Sequence, residues 1–349
     1  MYTSFEIQNF RGFKDFKLEK LARINLIAGQ NNVGKTALLE ALYLHSRGDN
    51  TYSLENLLNF RGLVTESRDR EFIIFPDALS SVFYDFDFVN EIRLTGVTNH
   101  KRLVVRVRQV LDQDDALEML GKTSTSEEAV ILGIASGAGD DDDDESYAYL
   151  DHREYIAQGG IQSSLVSYIY ARNYEISQLA KQFSRLVLDN QRERLVSALQ
   201  VIDPALSGLE LLAFNNETML WAANGSAQPK PLITLGDGVN TLMRIVCAMG
   251  TTRGGIILID EIENGLHYSI QKDVWKAIHK AAVDFNVQVF ATTHSRECIL
   301  AAHDAFTELG AYDDFQYIRL EKRKDGRILA IPYDQGSTEA AFEMNLEVR

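Results

Sequence analysis

Gly29-Gln30-Asn31-Asn32-Val33-Gly34-Lys35-Thr36 sets two glycines with four residues between them and follows the second with a lysine and a hydroxyl. Glycines at that spacing let backbone N–H groups turn inward onto phosphate oxygens, as in a P-loop. Lys35 would reach the β- and γ-phosphates of ATP, and Thr36 would hold Mg²⁺. Asn31, Asn32, Val33, Gly34, Lys35, Thr36 and Ala37 are therefore the candidate nucleotide contacts. The plainer alternative is a glycine turn beside a surface lysine. Further along, Ile256-Ile257-Leu258-Ile259 ends in Asp260-Glu261. There Asp260 would support the Mg²⁺, and Glu261 would polarise the attacking water. After one more apolar run comes Thr293-His294-Ser295, where His294 can hold that water near the γ-phosphate.

Such side chains need a frame, and the sequence supplies one. The apolar run Ile24 to Ala28 leads into the glycine loop, and Leu38, Leu39, Leu42 and Tyr43 lead out at helical spacing. Ile256 to Ile259 and Val287 to Thr292 read as strands covered on both faces of a mostly parallel sheet. Ile270, Val274, Ala277, Ile278 and Ala281 mark a helix between them. Upstream, Phe5 and Ile7 alternate with polar residues, and a turn at Arg11-Gly12 leads to Phe16 and Leu18. This hairpin reads as an antiparallel sheet edge over the nucleotide. Arg11 either contacts adenine or phosphate or simply caps a turn. Leu235-Gly236-Asp237-Gly238-Val239-Asn240 opens another helix and forms a second candidate anion site through Gly236 and Gly238.

The remaining chain is less specific. Its 349 residues suit one large domain or a domain carrying an inserted lobe. The formal charge is −15, with only six of 50 acidic residues in Asp140–Glu145. A uniformly basic nucleic-acid surface is thereby excluded, although a local patch is not. Arg102, Arg106 and Arg108 alternate with Leu103, Val105 and Val107, as either a solvated strand face or a phosphate-tracking stripe. Residues 111–148 read as an acidic flexible segment, because such a composition repels itself and buries little. Consecutive aspartates do not converge readily on one ion, which makes a solvated loop the simpler reading of that run. Apolar residues from Ile176 to Ile202 follow helical spacing up to Pro204, giving an inserted helical lobe within 149–208. Residues 1–110 and 209–349 would be the two parts of the nucleotide-binding domain. Cys247 and Cys298 suggest a reducing cytoplasm more than a disulfide framework. No run is long enough for a membrane helix, and the start lacks a signal-peptide pattern.

The order of glycine loop, second glycine loop, Asp-Glu strand and Thr-His-Ser resembles ABC-type ATPases of the SMC/RecF/OLD branch. Asn9-Phe10-Arg11-Gly12-Phe13, Ile259 to His267 and Ala291 to Ser295 are particularly similar to OLD-like AAA-family ATPases of bacteria. The resemblance covers residues 1–60 and about 230–320. It implies an α/β fold: an ABC-type P-loop NTPase with a mostly parallel central sheet, an antiparallel β edge and an inserted helical lobe. It further implies that Lys35 and Thr36 are Walker A, Asp260 and Glu261 Walker B, His294 the switch histidine and Leu235–Val239 the signature loop. His267 stands where a D-loop aspartate usually reaches across a dimer. Gly236 replaces the usual signature serine, and no Q-loop glutamine is evident.

The expected activity is ATP hydrolysis by a chain that assembles with itself through ATP, as a homodimer or higher oligomer. Many OLD proteins carry a C-terminal TOPRIM nuclease, whereas this sequence ends at Arg349 after the hairpin strands Tyr317–Leu320 and Ile328–Ile331. The expectation is therefore control of a separately encoded effector, such as a TOPRIM nuclease, in anti-phage defence. A RecF-like DNA-binding ATPase of repair or recombination is the alternative. A transporter subunit and a small-molecule kinase fit less well, for want of a Q-loop and of an acceptor site or lid. No membrane partner is expected.

Overall fold

The computed structural model describes residues 1–66, 72–74, 77–99, 101–123, 129–138, 145–151, 154–157, 160, 164–170, 176–214, 217–226, 228–344 and 346–348. The chain begins with strands β1 (Tyr2–Phe10), β2 (Phe13–Glu19) and β3 (Ile24–Gly29), then helices α1 (Lys35–Ser46) and α2 (Tyr52–Phe60). Strands β4 (Val64–Glu66), β5 (Phe72–Ile74), β6 (Ile92–Thr98) and β7 (Arg102–Gln109) precede α3 (Asp114–Met119). Next come β8 (Val130–Gly137), β9 (Glu145–Leu150), β10 (Tyr155–Ala157), β11 (Val166–Ile169), α4 (Ile176–Leu188) and α5 (Arg192–Leu199). A small sheet of β12 (Gly208–Phe214), β13 (Glu217–Ala223) and β14 (Lys230–Pro231) leads to α6 (Asp237–Thr251). The chain closes with β15 (Ile256–Ile259), α7 (Tyr268–Asp284), β16 (Gln288–Thr293), α8 (Arg296–Leu309), β17 (Phe315–Lys322), β18 (Ile328–Tyr333) and α9 (Gln335–Glu343).

The central sheet runs β11-β15-β16-β3-β17-β18, and only β18 is antiparallel to its neighbour. Every residue of β3, β15 and β16 is buried, as a strand covered on both faces must be. The period of two splits each strand between two cores. Leu26, Ile257, Ile259 and Val289 meet the helical layer containing α6, α7 and α8. Ile27, Leu258 and Phe290 meet α1 on the other face.

A second sheet, β10-β9-β8-β7-β6-β1-β2, is antiparallel throughout. Phe5, Ile7, Phe13 and Phe16 point from it towards α1. Helix α1 thus lies between two sheets. Its run Leu38-Leu39-Glu40-Ala41-Leu42 is apolar on nearly every side, and all but one of its twelve residues are buried.

Several sequence expectations change here. The β1–β2 hairpin is an antiparallel edge, with β2 the end strand of a seven-stranded sheet separate from the central one. Residues 111–148 are not wholly a loop, because β8 contributes buried Ile131, Leu132 and Ile134 to that sheet, and the start of β9 contributes Ser146 and Ala148. Asp140 to Asp144 lie outside the described residues. Residues 149–208 hold β10 and β11 as well as helices, and β11 is an edge strand of the central sheet. The expected long helix is two. Asn190 takes a left-handed φ of 56° and Gln191 N–H bonds back to Leu186 O, closing α4 before α5 begins.

Candidate functional site

The loop from β3 to α1 follows the sequence reading. Gly34 has φ 108°, and a Cβ there would lie 2.9 Å from the Phe13 ring. Only glycine fits, and the β1–β2 turn is thereby packed against the loop. Lys35 folds back, its Nζ donating to Gly29 O at 2.6 Å and Gln30 O at 3.0 Å. Burial lowers the Lys35 pKa, opposed by the charges of Glu263, Asp260 and Glu261. A cleft of about 670 Å³ opens over the loop, with Asn31, Asn32, Lys35, Thr36, Asp260 and Glu261 in its lining. Gly34, Ala37 and Arg11 also reach it. Val33 is buried, with its side chain packed beneath Gly29.

Parallel pairing brings the end of β15 beside β16, and the end of β16 beside β3. Asp260 therefore meets Thr36, whose hydroxyl donates to Oδ2 at 3.0 Å, and Thr292, whose hydroxyl donates to Oδ1 at 2.6 Å. Burial raises the Asp260 pKa; the two hydroxyls lower it, and Glu261 and Glu40 raise it further. Among the described residues no cluster of three or more His, Cys, Asp or Glu side chains is arranged for a metal. The oxygens of Thr36 and Asp260 instead suit Mg²⁺, which takes one or two protein oxygens and completes its shell with phosphate and water.

Glu261 sits at a left-handed φ of 51°, an uncommon conformation for its type and one found often at functional sites. Its backbone N–H donates to Thr292 Oγ1 at 2.9 Å, and Asn264 Nδ2 donates to its Oε2 at 2.9 Å. His294 begins the turn after β16, with its Nδ1 3.8 Å from Glu261 Oε1 and 3.1 Å from Glu263 Oε1. These residues, far apart in sequence, come together at one end of the sheet.

Arg11 is neither a free nucleotide contact nor an exposed turn cap. Its Nε lies 2.5 Å from Glu40 Oε2, and its Nη1 donates to Ser81 O at 3.1 Å. Arg61 binds the same carboxylate from the other side, Nε to Oε1 at 2.6 Å and Nη2 to Oε2 at 3.0 Å. Glu40 is fully buried one helical turn after Thr36, and both arginines face the cleft. Sequence reasoning missed Glu40, Arg61, Thr292 and Glu263. Glu40 was traceable, since a lone carboxylate in an apolar helix demands a cationic partner; Arg61 carried no local signal.

Gly236 and Gly238 are not brought to the cleft. They open α6 beside a separate groove of about 310 Å³ lined by Asp237, Asn240, Arg244, Asn264 and Gly265, with Asp260 and Glu261 at its wall. Gly236 is exposed at φ 103°. Gly238 owes its size to packing, because a Cβ would come 2.6 Å from Ile270 Cδ1. His267 caps α7, accepting from Ser269 N–H. In the arginine stripe, Arg102 is exposed and Arg108 is held by both oxygens of Glu145.

Residues 24–299 match the family described as "AAA domain, putative AbiEii toxin, Type IV TA system". The chain belongs to this family. An ATP/GTP phosphatase of Helicobacter pylori is 27% identical over 335 residues, 86% of each chain. An uncharacterised protein of Methanocaldococcus jannaschii is 46% identical over 54 residues, 16% of this chain and 25% of that one. In fold, the ATPase is similar to an SMC head bound to the C-terminal winged-helix domain of ScpA, at TM-score 0.52, 12% identity and 95% and 98% coverage of the two chains. It is also similar to the Pyrococcus furiosus SMC head with an extended coiled coil, at TM-score 0.51, 11% identity and 99% coverage of both. It is an ATPase with the α/β architecture of SMC and ABC heads. No helix among the described residues is long and apolar enough to cross a membrane.

Proposed function

We propose that the ATPase closes on ATP between two copies of itself and that hydrolysis releases them, so controlling a separate effector protein. The observation that carries this reading is the division of the phosphate-facing parts. Lys35, Thr36 and Asp260 line one cleft, whereas the glycine-bearing start of α6 faces a different groove. One copy offers half of each required pair; a second copy would bring Gly236, Gly238 and His267 over the first copy's γ-phosphate. Exposed Ile233 and Tyr268 flank that surface, which supports its burial by a partner.

Within one copy, Lys35 would leave its carbonyl partners for the phosphates, while Asn31, Asn32 and the N–H groups of Val33, Gly34 and Ala37 cradle them. Thr36 and Asp260 would hold Mg²⁺, which supplies charge neutralisation at the phosphates. Glu261 would orient the attacking water as general base, with His294 beside it. Arg11 would act on the nucleotide only after loosening from Glu40. The family description, which names a toxin–antitoxin system, supports a two-component setting, and anti-phage defence is the role we favour for it. DNA binding in repair has weaker support, given the −15 charge and the engagement of Arg108 by Glu145.

Glu261→Gln keeps the shape of the site and removes the base. With ATP and Mg²⁺ it should run as a dimer or larger species in size-exclusion chromatography with light scattering, and as the smaller species without nucleotide. An unchanged size with ATP would refute ATP-driven assembly.

A further inference from the structure

Glu263 lies two residues beyond Glu261, in the turn that connects β15 to α7. The turn is pinned to β16, since the N–H of Ile262 bonds Thr292 O at 3.0 Å. Glu263 is thereby pressed against the start of the next turn, with its side chain only 10% exposed. Its Oε1 accepts from the backbone N–H of His294 at 2.9 Å and faces the Nδ1 of the same residue at 3.1 Å. Its Oε2 is buried with no hydrogen-bond partner among the described residues. A buried carboxylate oxygen without a partner is costly and needs a reason.

The geometry at the imidazole distinguishes the two glutamates. Glu263 Oε1 is the nearer carboxylate oxygen to Nδ1, at 3.1 Å against 3.8 Å for Glu261. An ionised carboxylate only accepts, so the nitrogen facing it must carry the hydrogen. With Nδ1 protonated and the backbone on both sides of the contact fixed, Nε2 keeps its lone pair and points away from Glu263. The His294 side chain is 46% exposed, so the ring is not enclosed by protein. This is the arrangement by which a carboxylate behind a histidine sets which ring nitrogen does the work.

We propose that Glu263 is the positioning residue of the site: it holds His294 as the Nδ1–H tautomer, with Nε2 presented to the terminal phosphate and its attacking water. This rests on the placement of His294 beside the γ-phosphate under Proposed function. The effect of Glu263 is exerted wholly through the histidine ring.

The tautomer can be read directly in the nucleotide-free protein. Long-range ¹H–¹⁵N spectra of histidine-labelled protein, with the His294 signals assigned by their loss in His294→Gln, should show Nδ1 protonated in the wild type. Glu263→Ala should move the hydrogen to Nε2 or yield an exchanging mixture. Glu263→Gln, whose amide oxygen can still accept from the His294 N–H and face Nδ1, should keep it on Nδ1. In steady-state ATP hydrolysis, Glu263→Ala should lose about 10–100-fold in kcat with little change in KM, the range seen for residues that orient a functional histidine. Glu263→Gln should restore most of that loss. Wild-type His294 protonated on Nε2, or a tautomer unaltered by Glu263→Ala in a protein that melts normally, would overturn the proposal. If His294→Gln hydrolyses ATP at the wild-type rate, the role of His294 itself fails, even where the tautomer result stands.

Discussion

Burial lifts the Asp260 carboxyl above its ordinary pKa, despite donors from Thr292 and Thr36. The sign of its effect on stability follows. For an acid with a raised folded pKa, the favourable contribution exists below the unfolded value and is lost as pH rises through the folded value. At neutral pH the ionised group therefore weighs against the folded state. Asp260→Asn removes the charge while its amide can still accept from Thr292 and donate to Thr36. It should raise the melting temperature of the nucleotide-free protein, by about 1–2 °C for each 1 kcal/mol gained in a chain of this size. ATP hydrolysis should be lost in the same variant. Scanning calorimetry and a phosphate-release assay check both halves. A site that gains stability when its acid is neutralised has been kept strained for function.

Glu40 presents the reverse case at the scale of an element. It is the one carboxylate in α1, and Arg11 and Arg61 meet on it from the β1–β2 turn and the end of α2. Three elements around the phosphate loop are tied through two oxygens. Glu40→Gln leaves both arginines short of their counter-charge and should cost about 3 kcal/mol, the lower end of the range for breaking a buried pair. Urea unfolding of wild type and variant measures this, and a change under 1 kcal/mol would show that the arginines find other partners. Elements also mark the limit of what sequence reveals. β3, β15 and β16 were legible because strands covered on both faces must be continuously apolar, and Lys35, Thr36, Asp260 and Glu261 sit at their ends. Their neighbours were not. Thr292 sits within β16 as one more buried residue, and nothing near Arg61 announces a partner twenty-one residues upstream. The strands β8 and β9 were hidden by the acid-rich sequence around them. Pairing of β8 with β7, and of β9 with β8, stabilises them, and composition carries no record of pairing.

Over the whole molecule, α1 is joined to the antiparallel sheet by His45. The ring is fully buried at the end of α1, with Nδ1 2.8 Å from the Tyr2 hydroxyl and Nε2 3.0 Å from Gly96 N. Burial pushes its pKa down to about 4. A lowered histidine pKa means that the unfolded chain binds the extra proton first. The stability is present above about 6.5 and is lost as pH falls from there towards 4, on the order of 3 kcal/mol in total. Melting temperature should therefore drop more steeply between pH 6.5 and 4.5 in the wild type than in His45→Gln. Parallel slopes would remove His45 from the acid response.

The position of α1 has one more consequence. The helix that starts at Lys35 is walled in by both sheets, so it cannot fray or swing without opening the core packed between them. Local breathing, the common route by which a protease or a solvent proton reaches a binding site, is closed to this segment. The chain must come apart as a unit before the segment is exposed. The parts left free to adjust are those around it: the lysine side chain, the Arg11 turn and the glycine-bearing start of α6. Whatever signal ATP sends outward must travel through these margins, over a floor that does not move.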